Sequence, residues 1–231
     1  MKLAIEQNNV SAENQVSETN SVKLYNVPDA LLKIAIVGNS ITLHNKKEDI
    51  GWYGEWGMAA SCAEKDYCHL IMRDFRVEYP KTSFIIVQAA DWERSFWSEP
   101  CDYPKQLHML EQYDPDIIIL RLSENSGKEL CEQHDFAEGF MKLCAHFSDK
   151  GRRKLLITDS FWYSPWTAPG IEAAAKKYCD SGKAVKLSDL GNMDEMKALG
   201  LFEHPGVAAH PGDIGMRAIA DRILERLYKL V

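Results

Sequence analysis

The chain has 231 residues, 45% hydrophobic and 26% charged, and a formal net charge of −7 from 27 Lys and Arg against 34 Asp and Glu. This suits a single α/β domain with a sizeable core, and the acidic balance lacks the positive field with which a nucleic-acid binder displaces phosphate counterions. No apolar run reaches membrane-spanning length and the N-terminus has no signal-peptide core, which with six cysteines lacking a C-x-x-C pair points to a reducing cytoplasm and no membrane partner.

In chain order, residues 1–30 read as a polar N-terminal arm and residues 31–231 as one domain, with no internal repeat. Apolar runs predict buried strands over Leu31–Val37, Ser83–Val87, Asp116–Leu122, Lys154–Thr158 and Ala184–Leu187. They do not alternate with polar residues, as expected of parallel strands covered on both faces. Between them, helical spacing predicts helices over Met58–Phe75, Tyr103–Tyr113, Phe136–Phe147, Ile171–Cys179 and Asp213–Leu230, the last with Asp213 as its N-cap. The alternation predicts a doubly wound α/β fold on a five-stranded parallel sheet, whose functional crevice lies beyond the carboxyl ends of the strands.

Polar residues collect at those ends. Gly38-Asn39-Ser40 follows the first strand, Ser123-Glu124-Asn125 the third, and His210-Pro211-Gly212 precedes the last helix. A serine hydroxyl needs a base to become a nucleophile, an imidazole is the side chain suited to that, and a carboxamide N–H can stabilise a tetrahedral oxyanion. Taken singly, each is most simply a turn or cap residue. Together at one rim they suggest nucleophilic catalysis. Loop aromatics at the same rim, among them Trp52, Trp56, Trp92 and Trp162, are candidates for a substrate wall. No G-x-G-x-x-G or P-loop supports nucleotide binding.

The blocks Gly38-Asn39-Ser40-Ile41-Thr42, Ser123-Glu124-Asn125 and His210-Pro211-Gly212-Asp213-Ile214-Gly215-Met216 resemble, in that order, those of the SGNH hydrolases, the GDSL-like lipases and esterases. The stretch Gly51–Tyr67 resembles a bacterial subgroup of that family. The resemblance implies a flavodoxin-like three-layer α/β/α sandwich, no cofactor and no metal. It also implies hydrolysis of a small acyl ester through an acyl-enzyme, an O-acetyl group on a carbohydrate being the preferred substrate. Carried over, Ser40 is the nucleophile and His210 the base. The oxyanion hole then takes the Ser40 N–H, the Asn125 carboxamide and, by count from Gln88, the backbone of Glu93.

Two departures stand out. Glu93 occupies a glycine position, and Val207 occupies the place of the aspartate that steadies the histidine. The second leaves a dyad oriented by a backbone carbonyl, or a carboxylate supplied by Glu93, Glu124, Asp159 or Glu203. On the first option, Val207→Asp leaves or raises activity. The competing reading is a catalytically impaired scaffold that binds a small ligand or glycan.

Overall fold

The computed structural model describes residues 18–231. Its sheet has five strands, β1 (Val22–Tyr25), β2 (Leu32–Gly38), β3 (Thr82–Gln88), β4 (Ile117–Arg121) and β5 (Lys154–Ile157), in the order β1-β3-β2-β4-β5. The pairings β2–β3, β2–β4 and β4–β5 are parallel, and β1–β3 is antiparallel.

Residues along these strands alternate between two cores. Ala35, Val37, Ile85, Val87, Ile118 and Leu120 face one layer, and Ile34, Ile36, Phe84, Ile86, Ile117 and Ile119 the other. Both faces are covered, so the strands have no polar side to show. The first layer is built by helices α3 (Lys105–Tyr113), α5 (Phe136–Ser148) and α6 (Ala168–Tyr178), the second by α1 (Tyr67–Glu78) and α8 (Asp213–Leu227). The result is the expected three-layer α/β/α sandwich.

Two strand expectations are corrected. The sheet is not wholly parallel, because its outer strand beside β3 is β1, within the stretch read as a polar arm. Val22 packs in one core with Leu24 against it, Lys23 lies between and Tyr25 turns to the other core, a pattern too short to stand out. Residues 1–17 of that stretch lie outside the described residues. The segment Ala184–Leu187 is not a strand; only Val185 bridges, to Thr158. Past it, the amides of Leu187 and Ser188 turn to the Asp159 carboxylate, which draws the chain off the ladder.

The start of α1 and the cap of α8 also differ from expectation. Tyr67 opens α1 because Asp66, buried, caps it by accepting from the His69 N–H at 2.8 Å, and the same carboxylate accepts from the Gly57 N–H at 3.0 Å. Gly212, not Asp213, is the N-cap of α8; the Asp213 carboxylate instead binds the Ser61 N–H and hydroxyl and Lys65.

The order fixes where a site can form. From β2 the chain passes to β3 on one side and returns past β2 to β4 on the other. The loops after β2 and β4 therefore part at a topological switch point, where a crevice opens at the strand ends. The register places Gly38 beside Arg121, so Asn39-Ser40 and Leu122-Ser123 leave the sheet side by side.

Candidate active site

The turn after β2 is a single helical bend. The amides of Thr42 and Leu43 bond back to the Asn39 carbonyl at 2.9 and 3.0 Å, and the Ile41 N–H reaches the Asn39 side-chain oxygen at 3.3 Å. Gly38 is required here, since a Cβ would overlap the Thr42 hydroxyl. The Ser40 carbonyl is tied by the Met58 N–H at 2.9 Å, while the Ser40 N–H has no acceptor among the described residues. That leaves a backbone donor unspent at the foot of the Ser40 side chain.

Ser40 Oγ lies 2.9 Å from His210 Nε2, and His210 Nδ1 lies 2.7 Å from the Gly206 carbonyl oxygen. A carbonyl only accepts, so Nδ1 carries the ring proton. Nε2 is then bare and accepts from the Ser40 hydroxyl. Gly206 belongs to the short helix α7 (Pro205–Ala208), capped by His204. Burial, with Arg121 and His44 nearby, holds the His210 imidazolium off and lowers its pKa to about 4. The Trp162 ring stands edge-on to the imidazole, 5.1 Å between centroids.

Of the alternatives left by Val207, the backbone carbonyl is the one the fold supplies. Val207 is fully buried among Trp52, Met58, Ala59 and Ala198. Of the four candidate carboxylates, Asp159 is engaged by Leu187 and Ser188, Glu93 and Glu124 face a different set of donors, and Glu203 is exposed, while His210 Nδ1 is taken by Gly206.

That set is a buried polar cluster under the turn after β2. The Arg121 guanidinium, wholly buried, bonds Glu124 and the Asn39 side-chain oxygen. Asn39 Nδ2 donates to Glu124 at 2.6 Å and to Glu93 at 3.0 Å. Glu93 also accepts from the Ser123 N–H and from Asn125 Nδ2, the latter at 2.5 Å, and Arg94 holds the Asn125 oxygen at 3.2 Å. Burial first, then Glu124, raises the Glu93 carboxyl to about 7.

The expected oxyanion role of the Glu93 backbone is corrected. Glu93 ends helix α2 (Ala90–Glu93), and its N–H already points to the Ala89 carbonyl at 3.4 Å. Its side chain, not its amide, is what reaches the site.

Two of the four tryptophans named for a substrate wall are corrected as well. Trp92 is wholly buried against Phe136 and Phe140 of α5. Trp52 is 2% exposed and donates its indole N–H to the His44 carbonyl at 3.2 Å, so it staples its loop. Trp56 is half-buried and bonded to the Ala60 carbonyl, and Trp162 is half-buried beside His210. A cleft of about 710 Å³ lies along α6, lined by Tyr163, Glu172, Lys176, Lys183 and Lys186 among others; neither Ser40 nor His210 lines it.

No family model matches the chain, and no curated protein sequence does. Solved structures do. A two-domain esterase active on acetylated mannans, co-crystallised with mannopentaose, superposes with a TM-score of 0.54 over 86% of this chain and 50% of that one, at 16% identity. A variant of an acetyl xylan esterase from Geobacillus stearothermophilus superposes with a TM-score of 0.52 over 86% of this chain and 95% of that one, at 13% identity. The chain thus spans about half the length of the two-domain esterase. At these identities the likeness establishes a shared fold.

Strand-end logic in the sequence reached Ser40, Asn125 and His210. It missed Arg121, Asn39 as a cluster member, and Gly206. An arginine ending the run Ile117-Ile118-Ile119-Leu120 was the available signal, since a cation there is buried and demands a carboxylate. A carbonyl acceptor leaves no mark on residue type.

Proposed function

We propose that this chain is a serine ester hydrolase working through a Ser40–His210 dyad. The observation that carries it is the chain of contacts from Ser40 Oγ to His210 Nε2 and from Nδ1 to the Gly206 carbonyl, which leaves the ring in the tautomer a general base requires. In this reading Ser40 Oγ attacks the acyl carbonyl as His210 takes its proton. The Ser40 N–H and the free N–H of the Asn125 carboxamide receive the oxyanion. His210 then protonates the leaving alcohol, and water, activated by the same ring, releases the acid and frees Ser40. A lowered histidine pKa keeps the base competent well below neutrality.

The preferred substrate is an O-acetylated carbohydrate. Its support is the fold shared with esterases described as active on acetylated mannans and acetyl xylan, together with the Trp162 ring against His210. A covalent fluorophosphonate probe and p-nitrophenyl acetate test the chemistry. Wild type should label and turn over, Ser40→Ala should do neither, and His210→Ala should lose about 10³-fold or more in kcat. A folded wild type that neither labels nor hydrolyses would favour a ligand-binding scaffold instead. Acetylated mannan or xylan oligosaccharides left intact beside active p-nitrophenyl acetate would remove the carbohydrate half of the reading.

A further inference from the structure

We propose that the Glu93 side chain is a positioning residue that sets which end of the Asn125 carboxamide is offered to the reacting acyl group, and that it must be ionised to do so. This rests on the hydrolase reading and deepens it. Glu93 is fully buried, and every partner of its carboxylate is a donor: Asn39 Nδ2, the Ser123 N–H and Asn125 Nδ2. Such a pocket is built for a carboxylate, because a carboxyl hydrogen there would point at another hydrogen.

Asn125 is held at both ends. Nδ2 donates to Glu93, and Oδ1 accepts from Arg94, which fixes the amide in one of its two orientations. The nitrogen bears two hydrogens; Glu93 takes one, and the second is the donor assigned to the oxyanion. Protonating Glu93 reverses the preference. Its O–H finds an acceptor only if the carboxamide turns over, and the turned amide presents oxygen where nitrogen had been. The same carboxylate grips Asn39, the residue before Ser40, so both oxyanion donors are referenced to one anchor.

The charged groups that face Glu93 are few. Glu124 shares Asn39 Nδ2 with it, Arg121 binds Glu124 and the Asn39 oxygen, and Arg94 reaches it through Asn125. Ser126 from the loop after β4 bonds the Glu93 carbonyl, not the carboxylate. The two carboxylates meet through Asn39, and burial together with Glu124 raises the Glu93 carboxyl to about 7. His210 is kept neutral down to about 4, so the acid limb of activity between 4 and 7 belongs to Glu93.

The test is a mutant cycle on p-nitrophenyl acetate across pH 4.5–8.5. Wild-type kcat should fall about 100-fold on the acid side with an apparent pKa near 7 and little change in KM, the loss typical of one oxyanion donor. Glu93→Gln and Asn125→Ala should each be about 100-fold low and flat over that range, and the double variant no lower than either. Additive losses in the double variant, or an acid limb retained in Glu93→Gln, would overturn the proposal. If Glu93→Gln does not fold, the ¹⁵N side-chain signals of Asn125 in the wild type decide. They should titrate with the Glu93 carboxyl carbon, and independence of the two sinks the idea. An unlabelled, inactive wild type overturns the hydrolase reading and this one with it. An active, Ser40-labelled wild type with additive variants overturns this one alone.

Discussion

A guanidinium removed from water needs a counter-charge, and Arg121 gives its terminal nitrogens to Glu124 and Asn39. The Arg121 Nε has no partner among the described residues. Glu124 carries the link further by accepting from the Phe161 N–H at 3.0 Å, which ties the loop after β5 to the same point. Replacing Arg121 by Met leaves two buried carboxylates without a counter-charge. We expect a loss of about 3–5 kcal/mol in urea unfolding at neutral pH, shrinking as the pH is lowered and the carboxylates take up protons. At this scale the sequence showed the candidate reacting groups but not their support. Ser40, Asn125 and His210 announce themselves by chemistry at strand ends. Arg121, and the part played by the Glu93 side chain, were hidden because partners 30 to 82 residues apart become neighbours only through the fold.

Among the elements, α7 has a size out of keeping with its role. Its four residues deliver the Gly206 carbonyl to His210 and drive Val207 into the small core with Trp52, Met58 and Ala59. The two tasks are linked, because the depth of Val207 sets the height of the carbonyl. The expectation that Val207→Asp leaves or raises activity therefore does not survive the fold. An aspartate there would put a carboxylate among apolar side chains while Nδ1 is already occupied. We expect Val207→Asp to lose about 3 kcal/mol or more in thermal or urea unfolding, with kcat lowered and not raised. A Val207→Ile control should keep both near wild type. The main helices were legible from their helical spacing, and β2 to β5 from their apolar runs. The strand β1 and the false strand at Ala184–Leu187 were not, since a four-residue pattern is decided by what lies next to it.

Over the whole molecule, the two perturbed groups of the site pull stability in opposite directions with pH. For His210 the folded pKa is about 4 against an ordinary 6.5, so the unfolded chain binds more protons between those values and this contribution is lost as the pH falls through them. For Glu93 the folded pKa is about 7 against 4.5, so the folded chain binds more protons and stability falls as the pH rises from 4.5 to 7. Each amounts to about 3 kcal/mol at most, and over pH 4.5–6.5 they oppose each other. His210→Phe should therefore make stability decline with pH across that window, and Glu93→Gln should make it climb, both read as denaturant midpoints. Parallel slopes in the two variants would contradict the assigned directions. The same balance was out of reach of the sequence, where both residues carry ordinary values and only burial separates them.

The carbonyl of Gly206 has one more consequence, in heredity rather than energy. An orienting aspartate can be erased by a single codon change. A main-chain oxygen has no codon; it disappears only when the segment from His204 to His210 changes length or refolds. Drift can rewrite the exposed side chains of that segment, Val207 and His210 excepted, and leave the ring oriented, while one inserted residue breaks the contact.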